Sequence, residues 1–108
     1  MITEEQRLHE LRTLKDVYAK AKSESVYLDH FRKSKLAILM KEFIVDHKTA
    51  AAQEREARAH PAYLELLDGL RVAVEIEAKA FWELKIAMAG IEIWRSKRAT
   101  ERAEMGMR

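Results

Sequence analysis

From Thr3 onward, apolar and charged residues alternate with a helical period, and no helix breaker interrupts them before about Asp46. Spaced at ~3.6 residues per turn, Leu11, Leu14, Tyr18, Ala21, Leu28, Leu36, Leu39 and Phe43 fall on one stripe. Two positions on that stripe are polar, Ser25 and Arg32. Thr3-Glu4-Glu5-Gln6 predicts a capping box, in which hydroxyl and side-chain amide answer each other's backbone N–H groups. The pattern predicts a first helix over residues 3–46. Asp46-His47-Lys48-Thr49 predicts a turn, and Thr49 is placed to cap a short alanine-rich helix over 49–59. His60-Pro61 ends it, because a residue before proline is pushed out of the right-handed helical region. Pro61 suits the first turn of a third helix, over 61–105.

That third helix carries two apolar stripes. Leu67, Leu70, Val74, Phe81, Leu84, Met88 and Ile91 form one, and Val72, Ile76, Trp82, Ile86, Ile93 and Trp94 form the other. Gly69 and Gly90 interrupt the pattern at a cost of about 1 kcal/mol each relative to alanine. The antiparallel first helix covers one stripe, and the short second helix is too small to cover the rest. The second stripe, Val72 to Trp94, is therefore expected to meet another subunit in a homodimer or a higher helical bundle. A hairpin turning around 47–61 pairs positions whose numbers add to about 108, which sets Arg32 against Glu77 as a register-fixing polar pair.

The fold class that follows is all-α: a long antiparallel hairpin of two helices joined by a short one, coiled-coil-like and oligomeric. Residues 1–108 read as a single elongated helical domain. Charged residues make up 35% of the chain, so one compact core would be thin. The 20 basic and 18 acidic residues are mixed along the chain for a net +2, the signature of solvated helix faces rather than a nucleic-acid tail. Without cysteine there is no disulfide and no thiolate metal site. The start has no apolar signal region, and Leu36 to Met40 is too short a run to cross a bilayer. A cytoplasmic location is expected.

Catalytic patterns are missing. There is no glycine-rich phosphate loop and no cysteine nucleophile, and none of His9, His30, His47 or His60 has an acid three residues before it. No cofactor, metal or enzymatic activity is expected. Two basic groups remain. His30, Arg32, Lys33 and Lys35 form one; Arg95, Lys97, Arg98 and Arg102 beside Trp94 form the other. Folded back, Arg12 and Lys15 would join the second group. Cations beside an aromatic ring can engage phosphates and stacked bases, although interleaved Glu92, Glu101 and Glu104 also fit an ordinary solvated face.

Phe31-Arg32-Lys33-Ser34-Lys35-Leu36-Ala37, His47-Lys48-Thr49 leading into Glu54 to Ala59, and Ile91-Glu92-Ile93-Trp94-Arg95-Ser96 with Ala99 and Arg102 resemble a group of small bacteriophage proteins. Members are all-helical, largely uncharacterised, and encoded among replication and recombination functions. The resemblance covers roughly residues 28–104, through short motifs set in generic helix. It implies a non-enzymatic phage accessory role in the host cytoplasm, handling single-stranded DNA or binding a recombination protein. The alternative is a protein–protein adaptor or inhibitor with no nucleic-acid contact.

Overall fold

The computed structural model describes residues 3–107. It contains α1 (Glu4–Glu42), α2 (Ala50–Arg58) and α3 (Pro61–Gly106). Among the described residues there is no strand, and the architecture is an all-α helical hairpin. The contacts group into two units, one joining the chain up to Ala19 with the chain from Ala78, the other spanning Lys20–Glu77.

α1 starts as its sequence dictates. The Thr3 N–H donates to Gln6 Oε1 at 2.8 Å, and the Gln6 N–H donates to Thr3 Oγ1 at 3.2 Å, closing the capping box. Every position of the expected α1 stripe is buried or half-buried, including Ser25 and Arg32. The spacing from Leu11 through Leu14, Tyr18, Ala21, Ser25, Leu28 and Arg32 to Leu39 alternates threes and fours, the 3.5-residue repeat of paired helices. Buried Ser25 is satisfied locally, its hydroxyl donating to the Lys22 carbonyl at 3.0 Å.

α1 ends four residues before the expected 46. The Phe43 N–H donates to the Met40 carbonyl and the Ile44 N–H to Lys41, so the last turn tightens before the chain leaves the helix. Ile44-Val45-Asp46-His47 is a run of weak helix formers. Phe43 contributes instead to the corner: its ring meets His47 at 6.1 Å and His60 at 6.4 Å. The His47 N–H donates to the Phe43 carbonyl, and Gln53 Nε2 donates to the His47 carbonyl at 2.9 Å.

Thr49 caps α2 as expected, its hydroxyl accepting from the Ala52 N–H at 3.1 Å. α3 has a cap that the sequence does not announce. His60 Nδ1 accepts from the Ala62 N–H at 3.0 Å, so the residue before Pro61 serves as N-cap.

Within the Lys20–Glu77 unit, Leu39, Ala57 and Tyr63 form the buried cluster, with Leu36, Met40, Phe43 and Leu67 against it. Leu39 and Tyr63 are each only 2% exposed. Here the expected register pair fails. Arg32 donates to Asp29 at 3.1 Å, and its charged form is held above the ordinary arginine range by hydrogen bonding with Tyr63 first and Asp29 second. The ion pair of Arg32 is with Asp29 on its own helix, not with Glu77. In the other unit, Tyr18 meets Phe81 at 5.8 Å and Arg7 lies over Trp94 at 5.7 Å. Facing numbers there add to about 100, not 108.

Leu39→Ala should cost about 2–5 kcal/mol of stability, since it opens a cavity at the best-buried aliphatic position. His60→Ala should cost about 1 kcal/mol and His60→Asp much less, because aspartate retains the cap acceptor. Urea unfolding followed by circular dichroism at one chain concentration checks both.

Candidate functional site

Among the buried and half-buried positions of α3, Tyr63, Leu66, Leu70, Ala73, Glu77, Ala80, Leu84, Ala87, Ile91 and Trp94 form one series, with Ala62, Leu67, Phe81 and Gly90 half-buried beside it. The series again follows threes and fours, so α3 meets α1 through a heptad seam. Alanines fill three of those layers, while Val74 and Met88 of the expected main stripe are exposed. Over three heptads, a 3.5-residue repeat drifts about 20° per heptad from a 3.6-residue one. That drift carries Trp94 out of the second stripe, where it was expected, and into the hairpin seam.

Two guanidinium groups lie over the Trp94 ring, Arg7 at 5.7 Å and Arg98 at 5.8 Å from the ring centroid. Arg7 Nε is buried with no hydrogen-bond acceptor. The indole beneath it supplies the compensating negative charge of a π-face. Both arginines occupy ring surface that a stacked base would need. Arg95 lies 4.0 Å from Glu4, and Arg98 lies 4.0 Å from Glu101; both are exposed pairs of little energetic weight. Lys97 and Arg102 are exposed.

Arg12 and Lys15 do not join this group. They border a shallow apolar groove with Leu8, Leu11, Leu84 and Met88. The α1 residues beside the basic end of α3 are Glu4 and Arg7. Arg7 is the functional candidate missed in the sequence, because the assumed register placed Arg12 and Lys15 there. Every residue from Arg95 to Met107 is exposed. Thr3, Glu4 and Arg7 line a shallow surface pocket together with Trp94, Lys97, Arg98 and Glu101, so the start of α1 reaches this part of α3.

The remaining second-stripe residues are open to solvent. Val72 is 42% exposed, Ile76 53%, Trp82 62%, Ile86 69% and Ile93 58%. Apolar side chains this exposed, repeating along one helix, form a patch that a soluble monomer seldom leaves uncovered. Trp82 stands edge-on to Phe81 at 5.4 Å.

Among the described residues, no group of three or more His, Asp or Glu side chains is placed to hold a metal ion. His9 and His30 are exposed, and His47 and His60 belong to the corner. No described helix is long and apolar enough to cross a membrane. The chain matches no protein-family model, no curated protein and no solved structure.

The Arg7–Trp94 contact should be worth about 0.5–1 kcal/mol as a coupling energy at this half-exposed position. A double-mutant cycle with Arg7→Ala and Trp94→Leu, read by urea unfolding, checks it. Additive effects would mean that the two side chains are merely adjacent.

Proposed function

We propose that the protein is a non-enzymatic helical binding module that works as a homo-oligomer. The observation that carries this reading is the exposed apolar line Val72, Ile76, Ile86 and Ile93 on α3. The buried apolar set is meagre beside it: Ala21, Leu39, Ala57, Tyr63, Ala73, Ala80 and Ile91, four of them alanines. Sedimentation equilibrium should find a dimer or higher species at micromolar concentration, and a stable, cooperatively folded monomer would refute the reading.

A second reading concerns what the oligomer binds. The exposed side chains of Arg95, Lys97, Arg98 and Arg102 on the last turns of α3 support contact with an anionic partner, with Glu4 and Glu101 offsetting part of that charge. Single-stranded DNA, in the phage recombination or replication setting implied by the resemblance, is one such partner. The engaged ring of Trp94 leaves phosphate contact, rather than base stacking, as the mode. Fluorescence anisotropy with a labelled single strand should then show binding that weakens steeply with salt and falls at least tenfold in Arg98→Glu/Arg102→Glu. No binding at low salt would leave the protein–protein adaptor as the role.

A further inference from the structure

The exposed face of α3 has an internal order that goes beyond being apolar. Glu65, Gly69, Val72, Ile76, Lys79, Glu83, Ile86, Gly90, Ile93 and Lys97 follow one another at spacings of three and four. That is a second heptad seam on the same continuous helix, about a quarter-turn from the one that meets α1. From the α3 seam and its charge order we infer that two copies of the chain pair through α3 in antiparallel fashion, about a two-fold axis at the level of Phe81. The inference rests on the homo-oligomer reading and specifies which surface, orientation and register it uses.

Antiparallel coiled coils stack the two seam positions of one helix against the opposite positions of the other. With the axis at Phe81, each layer of this seam finds a matching layer in the second copy. Lys79 meets Glu83, Ile76 meets Ile86, Val72 meets Gly90, Ile93 meets Gly69, and Lys97 meets Glu65, each repeated by symmetry as an isologous contact requires. Neighbouring registers fail. Moving the axis between Leu84 and Lys85 sets Glu83 against Ile86, Val72 against Lys97 and Glu65 against Glu104. Moving it between Glu77 and Ala78 sets Ile76 against Lys79 and Val72 against Glu83. Charged side chains set against apolar ones, Glu83 in both cases, penalise both alternatives.

The glycines supply a second, independent observation. Gly69 and Gly90 each weaken the helix relative to alanine. Nothing in the chain's own fold asks for them: a Cβ at either position would meet no atom within 4 Å, and neither has a positive φ. Both lie on this seam, Gly69 exposed and Gly90 half-buried. In the Phe81-centred register they are the residues facing Ile93 and Val72 of the second copy, where a missing side chain makes room for a large one. A chain acting alone would gain helix stability from alanine at both sites; a paired chain needs the space.

Disulfide trapping tests the register directly. Ile76→Cys/Ile86→Cys should oxidise to a covalent dimer in high yield, and Ile76→Cys/Ile93→Cys should not. Sedimentation tests the chemistry. Gly90→Leu should raise the dimer dissociation constant at least tenfold while helicity is kept or increased, since the substitution has room within its own chain. Lys79→Glu alone should weaken association, and Lys79→Glu/Glu83→Lys should restore it. Preferential trapping by the Ile76/Ile93 pair, or an unchanged dissociation constant in Gly90→Leu, would overturn this interface while leaving the homo-oligomer reading intact. A wild-type chain that stays monomeric would overturn both.

Discussion

The constraint on which the molecule depends is the thinness of the seam between α1 and α3. Its layers include Ala21, Ser25, Ala73, Ala80 and Ala87, where a larger protein would place leucine or isoleucine. Small side chains contribute little transfer free energy on burial, at about 25 cal/mol per Å² of apolar surface. Cohesion is therefore concentrated where large groups meet: Leu39 with Tyr63 near the corner, Tyr18 with Phe81, and Arg7 with Trp94 toward the end of α3. The rest of each helix's apolar content faces outward.

Alignment follows the same economy. Alanine and serine layers interdigitate weakly, so they say little about which residue faces which. The groups that discriminate are polar or aromatic and lie at particular heights. Arg32 is tied to Asp29 on its own helix. Tyr63 lies buried with Leu39 and Ala57, where an aromatic ring fits one height of the seam. The corner, where Phe43 lies against His47 and His60, determines where α3 starts.

Much of this was legible in the residues. The α1 stripe from Leu11 to Phe43, the Thr3–Gln6 box and the Thr49 cap all follow from local rules, because capping and heptad spacing involve residues within one or two turns of each other. What went astray depended on longer range. No glycine or proline marks the end of α1, and Phe43-Ile44-Val45 continues an apolar pattern, so the helix reads as longer than it is. That excess accounts for about one turn of the difference in facing positions. Arg32 was matched to Glu77, whereas its ion pair is with Asp29, and Arg12 with Lys15 stood in for Arg7. Trp94 was misplaced for a different reason, the slow drift between two nearly equal periods. The His60 cap left no signal, because histidine accepts at a helix start only in one tautomer.

The two tryptophans end up in unlike surroundings. Trp94 lies against guanidinium groups contributed by α1 and α3, while Trp82 projects from α3 into solvent. An indole's emission depends on the charges beside it and on whether water reaches it. The chain's intrinsic fluorescence is thus a sum of two separable signals. One reports the junction of α1 with the end of α3, and the other reports whatever comes to lie over the outward face of α3. A Trp94→Phe chain isolates the second, so the molecule carries optical probes of its own folding and of its company.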